Sequence, residues 1–159
     1  MSSDFNKDAL LRSAKRINVS YFKEQQEDAI NTIWQWWQSQ SISFTLSGYA
    51  GTGKTFIMRH LVRYLIVEKV CVTAPTHKAL RVLENSSGKK GMTIQSLCGL
   101  RPDVDIEDYN IENPSFKVIG EQKMRGYRLV IIDECSMINP GLFNLLIKTA
   151  IQCRCKLLF

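Results

Sequence analysis

Ile42 to Thr55 reads ISFTLSGYAGTGKT, an alternating apolar run followed at once by the spacing G-x-x-x-x-G-K-[ST]. This spacing narrows the fold more than any other segment does, because it works only between a strand and a helix. Ile42, Phe44 and Leu46 alternate with Ser43, Thr45 and Ser47 as in a strand, and Phe56 to Val67 carries apolar residues at helical spacing. Between them, Gly48, Gly51 and Gly53 permit a tight bend and bring backbone N–H groups close to phosphate oxygens, an approach that a Cβ would obstruct. Lys54 would then reach the β and γ phosphates, and Thr55 would offer a hydroxyl to Mg²⁺. The following helix would direct the positive end of its dipole at the same phosphates. The pattern predicts a nucleoside triphosphate site.

The rest of the chain alternates in a matching rhythm. Val70 to Ala74 reads as a strand, Lys78 to Glu84 as a helix, Asn85 to Gly91 as a turn-rich segment and Thr93 to Gly99 as a short helix. Arg128 to Ile132 reads as a strand, wholly apolar from Leu129 on, ending at Asp133. Asn139 to Ala150 is a helix with Pro140 in its first turn, and Lys156 to Phe159 is a last strand. Strands separated by helices predict a parallel α/β sheet. Upstream, residues 4–17 form an amphipathic pattern, with Leu10, Leu11, Ala14 and Ile17 opposite Lys7, Lys15 and Arg16. Lys23 to Gln38 repeats Ile30, Ile33, Trp34 and Trp37 on one helical face. Trp36 falls off that face, which assigns it to surface packing, with stacking on a base as the alternative. Cys153 and Cys155 read as buried small residues sharing one face of a strand.

At 159 residues and 45% hydrophobic content, the chain suits one domain with a real core. Its net charge of +6 favours a polyanionic partner, although a nucleotide accounts for part of that excess. The charge is uneven: Asp103, Asp105, Glu107, Asp108 and Glu112 cluster in one stretch. Five cysteines without a C-x-x-C spacing argue against a disulfide framework or a structural zinc site, and for a reducing compartment. No apolar run approaches the roughly 18 residues of a membrane span, and the start of the chain lacks a signal-peptide core, so a soluble intracellular protein is expected.

Leu129 to Ser136, LVIIDECS, is an apolar strand delivering two adjacent acids, the Walker B arrangement. Asp133 would hold Mg²⁺, while Glu134 would orient and deprotonate the water that attacks the γ phosphate. Adjacent strand residues face opposite ways, which would let the two acids serve metal and water separately. A small GTPase would carry N-K-x-D, which is absent, and a small-molecule kinase has no use for Glu134. Hydrolysis coupled to motion is the remaining reading.

Taken together, these motifs resemble the superfamily 1 DNA helicases, in the RecD/Dda-like branch that includes the exonuclease V alpha subunit. FKEQQEDA, Phe22 to Ala29, is similar to the Q motif, and GYAGTGKT to motif I. TAPTHKAL, Thr73 to Leu80, is similar to motif Ia, and TIQS, Thr93 to Ser96, to motif Ib except that Gln95 stands where histidine is usual. The resemblance implies a P-loop NTPase with a RecA-like parallel sheet flanked by helices, an incomplete helicase motor using ATP and Mg²⁺. The implied domain spans residues 21–159 behind an N-terminal helix in 1–20. ATP would be held by Gln26 at the adenine edge and by Gly48, Ala50, Gly51, Thr52, Gly53, Lys54, Thr55 and Phe56. Single-stranded DNA would be met by Pro75, Thr76, His77, Lys78, Thr93, Gln95 and Ser96, with RNA also open because backbone-tracking grooves discriminate weakly. Thr76 equally suits a helix N-cap.

DECSM, Asp133 to Met137, is similar to the motif II form of 5′→3′ translocases. In that branch an insertion acts as a strand-separating pin. It maps here to residues 101–127, with Phe116 and Tyr127 as wedges or, as the default, an acidic surface loop. The family topology would put the last strand between the phosphate-loop strand and the Walker B strand. The family continues into G-D-x-x-Q, a second RecA-like domain and an arginine finger, none of which this sequence contains, so slow hydrolysis and no unwinding are expected of it. The implied partners are that C-terminal domain and a larger helicase/nuclease complex, in the cytoplasm of a bacterial or phage-infected cell. The alternative is a stand-alone nucleotide- or nucleic-acid-binding module.

Overall fold

Short apolar runs of the sequence become neighbours in one parallel sheet. The computed structural model describes residues 24–64, 69–102, 116–118, 120 and 122–159. The expected helix in residues 1–20, the end of the helix expected to reach Val67, and most of the candidate insertion lie outside them. Strands β1 (Ser43–Phe44), β2 (Val70–Ala74), β3 (Met92–Thr93), β6 (Leu129–Ile132) and β7 (Lys156–Leu158) pair in the order β1-β7-β6-β2-β3. Every pairing is parallel. Strand β7 is thus inserted between the strands that carry the two motifs, as the family resemblance implied. β4 (Leu100–Pro102) and β5 (Phe116–Val118) form a separate antiparallel ribbon, β4 at the start of the candidate insertion and β5 within it.

Every residue of β2 and β6 is buried, because helices cover both faces and leave no side for polar residues. On one face α1 (Glu24–Gln38), α2 (Lys54–Tyr64) and α3 (His77–Ser87) press Ile30, Ile33, Ile57, Leu61 and Leu83 onto Val70, Val72, Leu129 and Ile131. On the other, α4 (Ile94–Cys98) and α5 (Pro140–Cys153) press Leu97, Leu142, Leu146 and Ala150 onto Cys71, Val130, Ile132 and Leu157. Among the described residues no helix is long and apolar enough to cross a membrane.

Local signals set the helix ends. Asn139 Oδ1 accepts the Leu142 N–H at 2.8 Å and Pro140 occupies the first turn of α5. Helix α3 runs past the expected Glu84 to Ser87, so Asn85 to Ser87 are helical rather than turn. Gly88, at φ 72°, donates its N–H to Glu84 O, and Glu84 Oε1 accepts the Gly91 N–H, which fastens the chain only after Ser87.

Two sequence expectations fail for tertiary reasons. Trp36 is 6% exposed, whereas Trp34 and Trp37 are only half-buried. Its ring lies 5.7 Å from that of Phe44, and Lys156 Nζ sits 4.9 Å from its centroid, so partners from β1 and β7 bury a face that helical periodicity leaves outside. Cys153 does not share a strand with Cys155: it ends α5, and Arg154 at φ 53° turns the chain before β7. Lys156 also donates to the carbonyls of Trp36, Ser39 and Ser41, closing the exit of α1, and burial holds its pKa below the usual lysine value.

Burial pushes the thiols of Cys71 and Cys98 up to about 11 and that of Cys155 to about 12. The native state therefore holds these protons more tightly than the unfolded chain. The associated stability is complete below the ordinary thiol value of 9.0 and is lost as pH climbs through 11 to 12. Tm is expected to be level from about pH 7 to 8.5 and to fall above about pH 9. At neutral pH a thiol reagent should label half-buried Cys135 and Cys153 first. Labelling of Cys71 as fast as Cys153 in the native protein would contradict this burial.

Candidate active site

All strands of the sheet run the same way, so the segments leaving their carboxyl ends converge on one edge. β1 leads into the phosphate loop, which passes into α2 at Lys54. Gly51 and Gly53 take φ of 78° and 91°, values that side chains rarely adopt. At Gly53 the space is also occupied: a Cβ there would run into Gln26 Nε2. Gln26 Nε2 donates to Thr52 O at 3.1 Å, tying α1 to the loop. Thr52 Oγ1 donates to Tyr49 O at 2.8 Å, and Lys54 Nζ donates to Gly48 O at 2.5 Å and to Tyr49 O at 3.0 Å. The loop is thus closed by its own lysine, with the ammonium held over the bend and the first N–H groups of α2 behind it.

Thr55 is exposed, as are Ala50 and Tyr49, the last at 90%. Phe56 is half-buried against the first core cluster, with its ring 4.3 Å from that of His60.

Asp133 and Glu134 follow β6 at the same edge. Asp133 continues the ladder by one bond, its N–H donating to Thr73 O at 3.0 Å, and its Oδ1 accepts the Glu134 N–H at 3.0 Å. The strand ends there. Glu134 adopts φ 58° and ψ 38°, and a 3₁₀ turn, Cys135–Met137, follows. The two acids are therefore separated by a left-handed turn rather than by strand alternation as the sequence suggested, and this turn leaves Glu134 exposed while Asp133 stays half-buried.

The segments expected at nucleic acid leave the adjoining strands. Ala74 pairs with Thr93, which sets Pro75, Thr76, His77 and Lys78 beside Thr93, Gln95 and Ser96. His77 and Lys78 are exposed. Both threonines act as caps: Thr76 Oγ1 accepts the Ala79 N–H at 3.2 Å, and Thr93 Oγ1 accepts the Ser96 N–H at 3.3 Å. Tyr127, a wedge candidate, is half-buried against the second core cluster and hydrogen-bonded to Cys71, so it serves the core.

Sequence reasoning missed Tyr49, whose carbonyl anchors both Lys54 and Thr52; no motif spacing reports a carbonyl. It named Thr73 only as the first residue of TAPTHKAL and gave it no role, although one hydroxyl in the apolar run VCVTA is its signal.

The residues present fit a triphosphate with Mg²⁺. The cradle around Gly48 and Gly53 is filled by any added Cβ, at Gly48 against Thr52 Oγ1 at 2.9 Å. Among the described residues no group of three or more His, Cys, Asp or Glu could hold a metal by itself. Two oxygen donors, Thr55 and Asp133, suit Mg²⁺, which keeps waters and takes phosphate oxygens for the rest of its shell.

A family model for the AAA domain matches residues 21–159. The chain is similar to the ATP-dependent DNA helicase dda of Enterobacteria phage T4, 33% identical over 129 residues, which cover 79% of this chain and 28% of that protein. It is also similar to the ATP-dependent DNA helicase Pif1 of Psychrobacter sp. (strain PRwf-1), 27% identical over 100 residues, 63% of this chain and 15% of that one. The crystal structure of Pif1 helicase from Candida albicans matches with a TM-score of 0.55 and 26% identity, over 86% of this chain and 31% of that chain. The chain spans less than a third of each of these relatives. With the AAA model matched over residues 21–159 and a parallel sheet bearing the phosphate loop at its carboxyl edge, this chain belongs to the AAA domain family, as a RecA-like domain of the superfamily 1 helicases.

Proposed function

We propose that this chain is the ATP-binding segment of an ATP-dependent 5′→3′ DNA helicase, holding ATP with Mg²⁺ at the carboxyl edge of the sheet and single-stranded DNA along the adjoining loops. The observation that carries the reading is the closed phosphate loop, with Lys54 bonded to Gly48 O and Tyr49 O and with Gln26 bonded to Thr52 O. In this reading Lys54 exchanges carbonyls for phosphate oxygens, and the α2 N–H groups and the Gly51–Gly53 backbone bind the remaining phosphate charge. Gln26, whose amide is bonded to Thr52 O, would read the adenine edge, and Phe56 would flank the same region. Thr55 and Asp133 would hold Mg²⁺, which supplies charge neutralisation at the phosphates. Glu134, turned outward by its left-handed conformation, would orient and deprotonate the attacking water.

For DNA, the side-by-side placement of Pro75 to Lys78 with Thr93 to Ser96 supports a backbone-tracking surface of hydroxyl, amide and cationic donors. The 5′→3′ polarity rests on the DECSM form of motif II. The helicase reactions of the relatives involve far longer chains, so a second motor domain would be this segment's partner in unwinding.

The DNA assignment is tested by titrating an oligodeoxythymidine across salt concentrations. Three or four phosphate contacts should give a log–log slope of about −2 to −3, at roughly −0.7 per single-strand phosphate. A flat response would remove DNA from the proposal. Thr76→Ala should cost about 1 kcal/mol of stability through the lost cap, read by urea unfolding, whereas Thr76→Ser keeps both the cap and the DNA affinity. Full DNA affinity in Thr76→Ala would leave Thr76 a cap only.

A further inference from the structure

Thr73 is fully buried, and its Oγ1 has no hydrogen-bond partner among the described residues. A buried, unmade hydroxyl bond is costly and rare enough to call for a cause, since valine would fill the same space without that cost. The position is also specific. Thr73 pairs with Ile132, its carbonyl receives the Asp133 N–H, and it stands three residues before Thr76, which caps α3.

The side-chain direction follows from the strand. Val70 and Val72 belong to the first core cluster and Cys71 to the second, so alternation puts the Thr73 side chain on the face of Cys71. Cys135 and Ile138 pack against that same cluster, so the turn after Asp133 covers the face to which the Thr73 hydroxyl belongs. Glu134, which begins the turn, is held at φ 58°, a conformation that a non-glycine residue leaves readily when given an alternative. An unpartnered hydroxyl and a strained turn therefore belong to one side of the sheet, and the backbone bond from Asp133 N–H to Thr73 O links the two segments.

We propose that Thr73 is a positioning residue that couples the Asp133–Glu134 turn to the end of β2: its hydroxyl receives a hydrogen bond from that turn when nucleotide draws Glu134 out of its left-handed conformation. The inference rests on the reading that Asp133 and Glu134 serve the nucleotide. Movement of the turn is then carried along β2 to Thr76 and the start of α3, the segment assigned to DNA. This is a two-arrangement element biased from one end and read at the other.

Amide hydrogen exchange of the intact chain, with and without a Mg²⁺-bound non-hydrolysable ATP analogue, tests it. In the unaltered protein, nucleotide should change protection by fivefold or more both at residues 134–138 and at 76–79. Thr73→Val should keep the change at 134–138, hold 76–79 within twofold of the nucleotide-free rate, and melt no lower than the unaltered chain. Thr73→Ser should restore the response at 76–79. The proposal is overturned by a full response at 76–79 in Thr73→Val, by no response there in the unaltered protein, or by a Thr73→Val protein that melts lower and no longer binds. Lys54→Ala separates the two levels. If it responds at 134–138 as the unaltered chain does, the nucleotide-site reading itself fails; if it is silent while Thr73→Val responds fully, only the role of Thr73 fails.

Discussion

Lys54→Ala should weaken binding of ATP by roughly 100-fold while leaving the fold intact. The ammonium is tied into the loop by its bonds to Gly48 O and Tyr49 O. Charge-assisted hydrogen bonds contribute about 1.5–3 kcal/mol each, and contact with two phosphates makes about 3 kcal/mol a conservative total. At about 1.4 kcal/mol per decade that is a hundredfold in Kd. The fold should survive, because Lys54 heads α2 rather than filling the core, and its removal leaves the parallel ladder untouched. Isothermal titration checks the affinity and circular dichroism the fold. A Kd within about threefold of the unaltered chain's, with a native spectrum, would remove the loop from the proposed function.

Leu157→Ala should destabilise the domain by about 2–5 kcal/mol, the range for deleting a buried leucine where neighbours close in only partly. Leu157 is 0% exposed and lies in β7, flanked by β1 at Ser43 and by β6 at Val130. Strands on both sides restrict how far the surroundings can collapse into the cavity. For a chain of this size the loss corresponds to a Tm lower by roughly 5–15 °C. Ile151→Ala is the control: at 58% exposure its loss should stay within about 0.5 kcal/mol. Equal effects from the two substitutions in thermal melts would contradict the central place of β7.

Much of the candidate site is legible in the sequence because its geometry is local. Gly51, Gly53, Lys54 and Thr55 lie within five residues, and a strand feeding a helix forces their backbone into one shape. The strand Val70–Ala74 matches its expected bounds residue for residue, since a run buried on both faces has no polar interruption to blur its ends. The helix cap at Thr76 is equally local. By contrast, the burial of Trp36 depends on Phe44 and on Lys156, and the latter lies 120 residues away. The separation of Asp133 from Glu134 depends on one residue taking a left-handed conformation, which propensity gives glutamate no reason to adopt.

By itself the sequence determined that a phosphate loop joins a strand to a helix, that an apolar strand delivers two acids, and that strands and helices alternate. Each is a pattern of near neighbours, set by spacing and by backbone freedom at glycine. The tertiary structure decided the rest. It inserted β7 between β1 and β6, closed the loop with Lys54 on its own carbonyls, tied Gln26 to Thr52, and left the Thr73 hydroxyl buried without a hydrogen-bond partner. The physical reason is range: these contacts join residues whose separation along the chain carries no periodicity, and only packing of the two helical layers on one sheet brings them together.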